Sequence, residues 1–385
     1  MPGPHGAEPG WPEGWRPRRR RPAGPWVWVL ACGLLAGAGL LALHLGGAAA
    51  PRPPAKRVPA HPWPPAAYTP LEPPPRWPGP LPYPVLVAEA AGRRLLELSP
   101  TGHLLWQYTP PPLRGVRLQP NDAAFSPHGH GILLTAEHQG VVARLDFASR
   151  RLAWVFGVPG QPGASKTHLD YPDAAAPLPD GSVAVADIRN CREVLLSPVG
   201  RFLAAWGRPQ PGYCRTDPAH GLYGYPNGSA PQPNGDLLLT FASGDRVALL
   251  SGAGRVLWDV PTPDLYGGFA SDAQLTATGE VVVTGYGRPG SVVAFNPRTG
   301  AVAWHYFVPS GPGALAYPTV ALPLPGGDVL VADSGDNRLV VLDPASGRLL
   351  WSYSAGLRDP EGLALDQYRN WLRFVPGSSP PGTRG

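Results

Sequence analysis

The chain has 385 residues, of which 54 are proline and 49 are glycine, and only 15% are charged. That much Pro and Gly excludes an ordinary helical domain and calls for many tight turns, unstructured tracts, or both. The net charge of +5 does not point to nucleic acid: residues 1–84 alone carry +6, so the remainder sums to about −1 and offers no basic face to a phosphate backbone.

Five arginines, Arg16 and Arg18 to Arg21, stand in the first 24 residues, ahead of an uncharged stretch (25–50) rich in Leu, Ala, Gly and Val. About 20 apolar residues at 1.5 Å rise cross a ~30 Å hydrocarbon core, so residues 25–50 are expected to form one transmembrane helix. The arginines favour a cytoplasmic tail (1–24) and place everything after residue 50 outside the cytoplasm, although Arg52, Lys56 and Arg57 follow the segment. Trp26 and Trp28 suit the interfacial aromatic belt. A cleaved signal peptide is the alternative, with Ala48-Ala49-Ala50 as its small-residue site. The apolar run exceeds the roughly 7–15 residues of a signal h-region, which favours an uncleaved anchor. Residues 51–82 hold proline at nearly every second position. Such a tract cannot donate ladder hydrogen bonds and favours polyproline II, a semi-rigid extracytoplasmic stalk.

From Tyr83 the pattern changes to short apolar runs separated by Gly, Pro, Ser and Asp turns. Six tryptophans, Trp106, Trp154, Trp206, Trp258, Trp304 and Trp351, recur at spacings of 48, 52, 52, 46 and 47 residues. Each follows a turn, as in Ser99-Pro100-Thr101-Gly102-His103-Leu104-Leu105-Trp106 and Asp343-Pro344-Ala345-Ser346-Gly347-Arg348-Leu349-Leu350-Trp351. Runs such as 328–333, 182–187 and 280–284 are the length of antiparallel strands, and a weaker strand of small residues precedes each. Four strands in a unit of this size make a β-propeller blade. The first unit lacks its innermost strand, and residues 359–366 after the last unit match it. The sequence therefore predicts an all-β, six-bladed β-propeller over 83–366, closed by a C-terminal strand in the first blade. Residues 367–385 read as a disordered tail.

Val331-Ala332-Asp333-Ser334-Gly335-Asp336-Asn337-Arg338 resembles the NHL repeat core, and Ala186-Asp187-Ile188-Arg189-Asn190-Cys191-Arg192 is a variant of it. Asn296-Pro297-Arg298-Thr299-Gly300-Ala301-Val302-Ala303-Trp304 is similar to the docking turn of PQQ-like repeats. The resemblance covers about 83–366 and implies the fold of membrane-anchored bacterial envelope propellers, in families that include many non-catalytic scaffolds. It does not extend to the quinone dehydrogenases, which have eight blades and an adjacent-cysteine pair. Nor does it extend to six-bladed arylsulfotransferases, whose inner-strand histidine is replaced here by Pro172 and Pro226. The tryptophans then read as packing anchors between blades.

Metal-dependent lactonases of the same shape suggest another use of the axis. The inner-strand starts align Asp122, Asp173, Asn227, Asp272, Thr319 and Glu361, one per blade, and all but Thr319 are candidate ligands for a Ca²⁺ ion. The competing role is structural, since Asp and Asn beside proline cap turns through nearby backbone N–H groups. His168, Tyr171, Tyr225 and Tyr317 fall in the long loops leading into inner strands and are candidate ligand contacts, with packing as the alternative. Cys191 and Cys214 would close a loop with a disulfide worth about 3 kcal/mol in an oxidising compartment; two free thiols are the alternative. Gly285-Tyr286-Gly287-Arg288-Pro289-Gly290 spells a dinucleotide fingerprint, but a strand follows it, so no phosphate cradle is expected. The expected function is binding or scaffolding through the loop-rich face, toward an envelope protein or a small molecule, without catalysis. The alternative is a metal-assisted, lactonase-like hydrolase at the channel mouth.

Overall fold

Runs of Val, Leu and Ala five or six residues long, each ended by a turn residue, pair here with their neighbours in sequence. The computed structural model describes residues 80–367. The expected tail, transmembrane helix, most of the stalk and nearly all of the C-terminal tail lie outside the described residues. Among the described residues no helix is long and apolar enough to cross a membrane.

The strands form six four-stranded antiparallel sheets, the six blades that the spacing of the tryptophans predicts. Five blades are simple meanders; blade two, for example, runs through Asp122–Phe125, Gly131–Ala136, Val141–Asp146 and Arg151–Phe156. Blade one takes its inner strand from the far end of the chain: Pro360–Leu365 pairs with Val85–Glu89 in the register Val85 to Leu365 and Val87 to Leu363. Asp366 N–H then donates to the Pro84 carbonyl at 2.9 Å, so both ends of the ring are latched. Closure removes the radial sheet edge that an open propeller would expose.

The core is divided into layers between blades. Second and third strands are covered on both faces, which is why they read as continuous apolar runs such as Val329–Asp333 and Ser291–Phe295. Each of the six tryptophans packs from its outer strand against a cluster that includes the next blade. Trp106 packs with Ile132 and Leu145 of blade two, and Trp351 with Leu96 and Leu98 of blade one. Trp154 also donates its indole N–H to the Pro198 carbonyl at 3.1 Å. Its ring occupies the space beside Gly200, where an added Cβ would lie 2.6 Å from it. The tryptophans are blade-to-blade anchors.

Five of the six inner strands are Pro172–Pro177, Pro226–Pro231, Phe269–Leu275, Pro318–Pro323 and Pro360–Leu365. In each, the pairing shifts immediately after the strand begins, leaving one or two residues outside the regular ladder. Tyr171, Tyr225, Tyr317 and Asp359, each just before such a proline, hold φ between 51° and 67°. A bulky residue in this left-handed region is strained, and a bulge re-aims the side chains next to it. The same local device, repeated around the ring, presents the bulged residues to the axis.

Candidate functional site

The residues at the starts of the inner strands touch across blades. Asn121 donates from Nδ2 to the Asp173 carbonyl at 3.1 Å and to Asp173 Oδ1 at 2.9 Å. Asn227 Nδ2 donates to the Ser271 carbonyl at 3.0 Å, and Thr319 Oγ1 donates to the Glu361 carbonyl at 2.7 Å. Thr135 and Thr284, on second strands, add hydroxyl bonds to the carbonyls of Asp173 and Thr319 at 2.6 and 2.9 Å. The axial ring is therefore Asn121, Asp173, Asn227, Ser271, Thr319 and Glu361.

This corrects the alignment of the inner-strand starts at two positions. Asp122 and Asp272 lie one residue beyond the ring: their backbone N–H groups donate to Thr135 and Thr284 Oγ1 at 3.1 and 3.0 Å, and Asp122 pairs with Thr135 as Gly228 pairs with Thr240. Each ring residue directly follows a proline, as Asn121 follows Pro120 and Asp173 follows Pro172, except Ser271 in blade five, which follows Ala270. The ring thus holds two carboxylates, Asp173 and Glu361, and the other two form a second level. That level is crowded by neighbouring backbone. A Cβ on Gly362 would lie 2.5 Å from Asp122 Cα, and one on Gly228 2.6 Å from Asp272 Oδ1. Burial pushes Asp122 up to about 6 against a bond from the Ala175 N–H, and pushes Asp272 up to about 7 against a bond from Gln274, with the charge of Asp122 adding to the rise of Asp272. Among the described residues no group of three or more His, Cys, Asp or Glu is placed to hold a metal ion.

Above the ring, turns between second and third strands complete the mouth. The 3-10 turn Glu137–Gln139 of blade two carries Glu137, whose N–H is fixed on Asn121 Oδ1 at 2.8 Å. The turn Ile188–Asn190 of blade three carries Arg189, whose guanidinium lies 3.9 Å from the centre of the Tyr171 ring, while His138 meets the same ring edge-on at 5.0 Å. Across the mouth Tyr286 packs against Tyr317 at 5.1 Å and Phe269 at 5.0 Å. Negative charge dominates. Burial, then the charges of Asp173 and Glu361, hold the Glu137 carboxyl well above its ordinary range, with Arg189 opposing. Glu361 is held up by burial and then by Asp359 and Asp173; Asp173 by burial and then by Asp122 and Asp272. The Tyr171 hydroxyl, inside a residue only 6% exposed, has no hydrogen-bond partner, and burial and then the charge of Glu137 raise it.

Tyr171, Tyr317, Asp173 and Glu361 therefore share the mouth, whereas His168 and Tyr225 make their contacts elsewhere. His168 Nδ1 bonds Ser165 Oγ at 2.8 Å within its own loop, and Tyr225 is buried edge-on to Tyr213 at 5.6 Å. The NHL-like arginines fasten such loops. Arg192 is paired with Asp187 at 2.7 Å and donates to the carbonyls of Ala164, Ser165 and His168; Arg338 is paired with Asp333 at 2.6 Å and donates to those of Pro312 and Ala314. Cys191 and Cys214 form a disulfide with Cα atoms 5.7 Å apart, which ties a further loop to the turn bearing Arg189. Sequence reasoning missed Glu137, Arg189, Asp359 and Tyr286. Glu137 and Arg189 stand on the turns after second strands, the signal by which an alignment of those turns finds them.

A family model described as outer membrane protein assembly factor BamB matches residues 224–321. No curated protein matches the chain. Among solved structures, a protein of unknown function from Bacteroides caccae is 15% identical with a TM-score of 0.54, over 73% of this chain and 97% of that one. A virginiamycin B lyase from Staphylococcus aureus is 12% identical with a TM-score of 0.51, over 74% of this chain and 89% of that one. A chain of a nidogen/laminin complex is 14% identical with a TM-score of 0.50, over 74% of this chain and 99% of that one. At these identities the likeness is one of fold. The chain is a six-bladed β-propeller, and its fourth and fifth blades, with part of the first strand of the sixth, are similar to the PQQ-like repeat of that family model.

Proposed function

We propose that the chain is a membrane-anchored, extracytoplasmic binding or scaffolding module that engages its partner through the mouth face of the propeller. The observation that carries this is the convergence, at one end of the axis, of loops fastened by Arg192, Arg338 and a disulfide around an acidic and aromatic rim. Surfaces built on fastened loops lose little entropy on binding, which is how a scaffold gains affinity without extra area. The arginines ahead of the apolar stretch and the disulfide support the placement outside the cytoplasm. The partner is an envelope protein or a small molecule.

Photo-crosslinking in cells that express the full chain tests the proposal. Probes at His138 and Asp336, exposed on turns between second and third strands, are expected to trap a specific adduct, and probes at the exposed outer-strand residues Leu203 and Val302 to trap none. Adducts from the outer strands with none from the mouth would overturn it.

A further inference from the structure

The mouth is short of positive charge. Glu137, Asp173, Asp359 and Glu361 come from three blades, and Arg189, itself 3.8 Å from Asp170, is the cation that acts on Glu137. Carboxylates gathered in a partly buried site without matching cations are held away from their charged state, and a charged ligand that enters regains that energy. The second, independent observation is the Tyr171 hydroxyl. It is buried and has no hydrogen-bond partner, and the carboxylates acting on it are Glu137, Glu361 and Asp173. A buried polar group without a partner is costly unless something supplies one. Tyr286 and Tyr317, packed on each other at 5.1 Å and both half-buried, supply the aromatic part of the same mouth, with Tyr286 in the field of Glu361, Asp359 and Glu137, and an aromatic π surface attracts a desolvated cation.

We infer that the mouth binds an organic cation, a guanidinium or alkylammonium group, which pairs with Glu137 and Glu361, donates to the Tyr171 hydroxyl and lies against the Tyr286–Tyr317 aromatic pair. The inference rests on mouth-face binding and names the ligand chemistry that this face selects. A planar guanidinium meets two carboxylates through parallel N–H bonds and stacks on an aromatic ring with the same atoms. The carboxylates are spread over blades one to three and meet no metal-binding geometry, so an extended cation suits them better than a compact ion. The group could belong to a free amine or to an arginine or lysine of a partner chain.

The test is calorimetric titration of the full chain in detergent with N-acetyl-argininamide, with equal ionic strength of sodium chloride as the blank. Saturable binding is expected, weakened about tenfold for each lost charge-assisted contact in Glu137→Gln and Glu361→Gln and less in Tyr171→Phe. These variants remove like charge or a single oxygen, and their melting temperatures should equal or exceed that of the parent, which separates lost binding from lost folding. The same residue within a Gly-Gly-Arg-Gly-Gly peptide distinguishes the sources: tighter binding points to a partner chain, equal binding to a free amine. Heats that match the sodium chloride blank, or binding untouched by all three substitutions, would overturn the inference. Mouth adducts in the crosslinking experiment alongside such a failure would leave the binding face standing and remove only its ligand.

Discussion

Glu193 lies wholly buried on the third strand of blade three, where Ser229 of blade four donates to one carboxyl oxygen at 2.8 Å and the other has no partner. Burial pushes it up to about 8 from an ordinary 4.5, with the charge of Asp187 adding to the rise. The folded chain keeps a proton that the unfolded chain releases near pH 4.5, so this group's contribution to stability falls as pH rises from about 4.5 to about 8, then levels off. Glu193→Gln should flatten that slope and raise stability at pH 8.5 by on the order of 2 kcal/mol, read from urea midpoints across the pH range. An unchanged slope would show that Glu193 is ionised in the folded chain. The same scale shows what the sequence conceals. Asp122 and Asp272 look equivalent to Asp173 in a string of letters, but whether an inner strand opens on a bulge, as Pro172–Pro177 and Phe269–Leu275 do and Asp122–Phe125 does not, is a backbone event with no letter of its own. Tyr171, Tyr225 and Tyr317 read alike as loop residues before a proline, and only the folded chain separates Tyr171 and Tyr317 at the mouth from Tyr225 packed on Tyr213.

Elements were more legible than residues because two signals coincide in them. Period-two or continuous apolar runs mark the strands, and a turn followed by tryptophan marks each outer strand. The strands Val329–Asp333 and Val183–Asp187 fall on the runs 328–333 and 182–187 that the pattern selects. The turn before Trp206 shows why these motifs recur. Gly200 has φ of 72° and the Trp154 ring against its α-carbon, so Gly200→Ala would add both backbone strain and a clash, at a cost of about 1–3 kcal/mol measurable as a lowered melting temperature. An unchanged melting temperature would show that the turn relaxes away from the indole. The loops are governed by single arginines. Arg192→Lys keeps the charge but loses the fork that reaches three carbonyls, so amide exchange over residues 163–170 should speed by about tenfold or more while exchange in the blade strands stays slow. Uniform acceleration across blade three would instead make Arg192 a core residue of the sheet.

At the scale of the whole molecule the ring closes through a strand contributed from the far end of the sequence, predicted from a gap in the first unit and a surplus after the last. A chain ending at residue 358 would leave Val85–Glu89 as an open edge and is expected to aggregate or melt well below one ending at residue 367. Equal melting of the two would mean that the blade does not need its inner strand. The mouth was the part least legible in advance, because it assembles from turns on three blades whose nearness only ring geometry creates. Its central property is an excess of carboxylate over cation, and carboxyl-carbon NMR of the full chain measures it most directly. Glu137, Asp173 and Glu361 should titrate above the ordinary carboxylate range and move down when N-acetyl-argininamide is added. Titration of all three within the ordinary range, unmoved by that cation, would contradict the account.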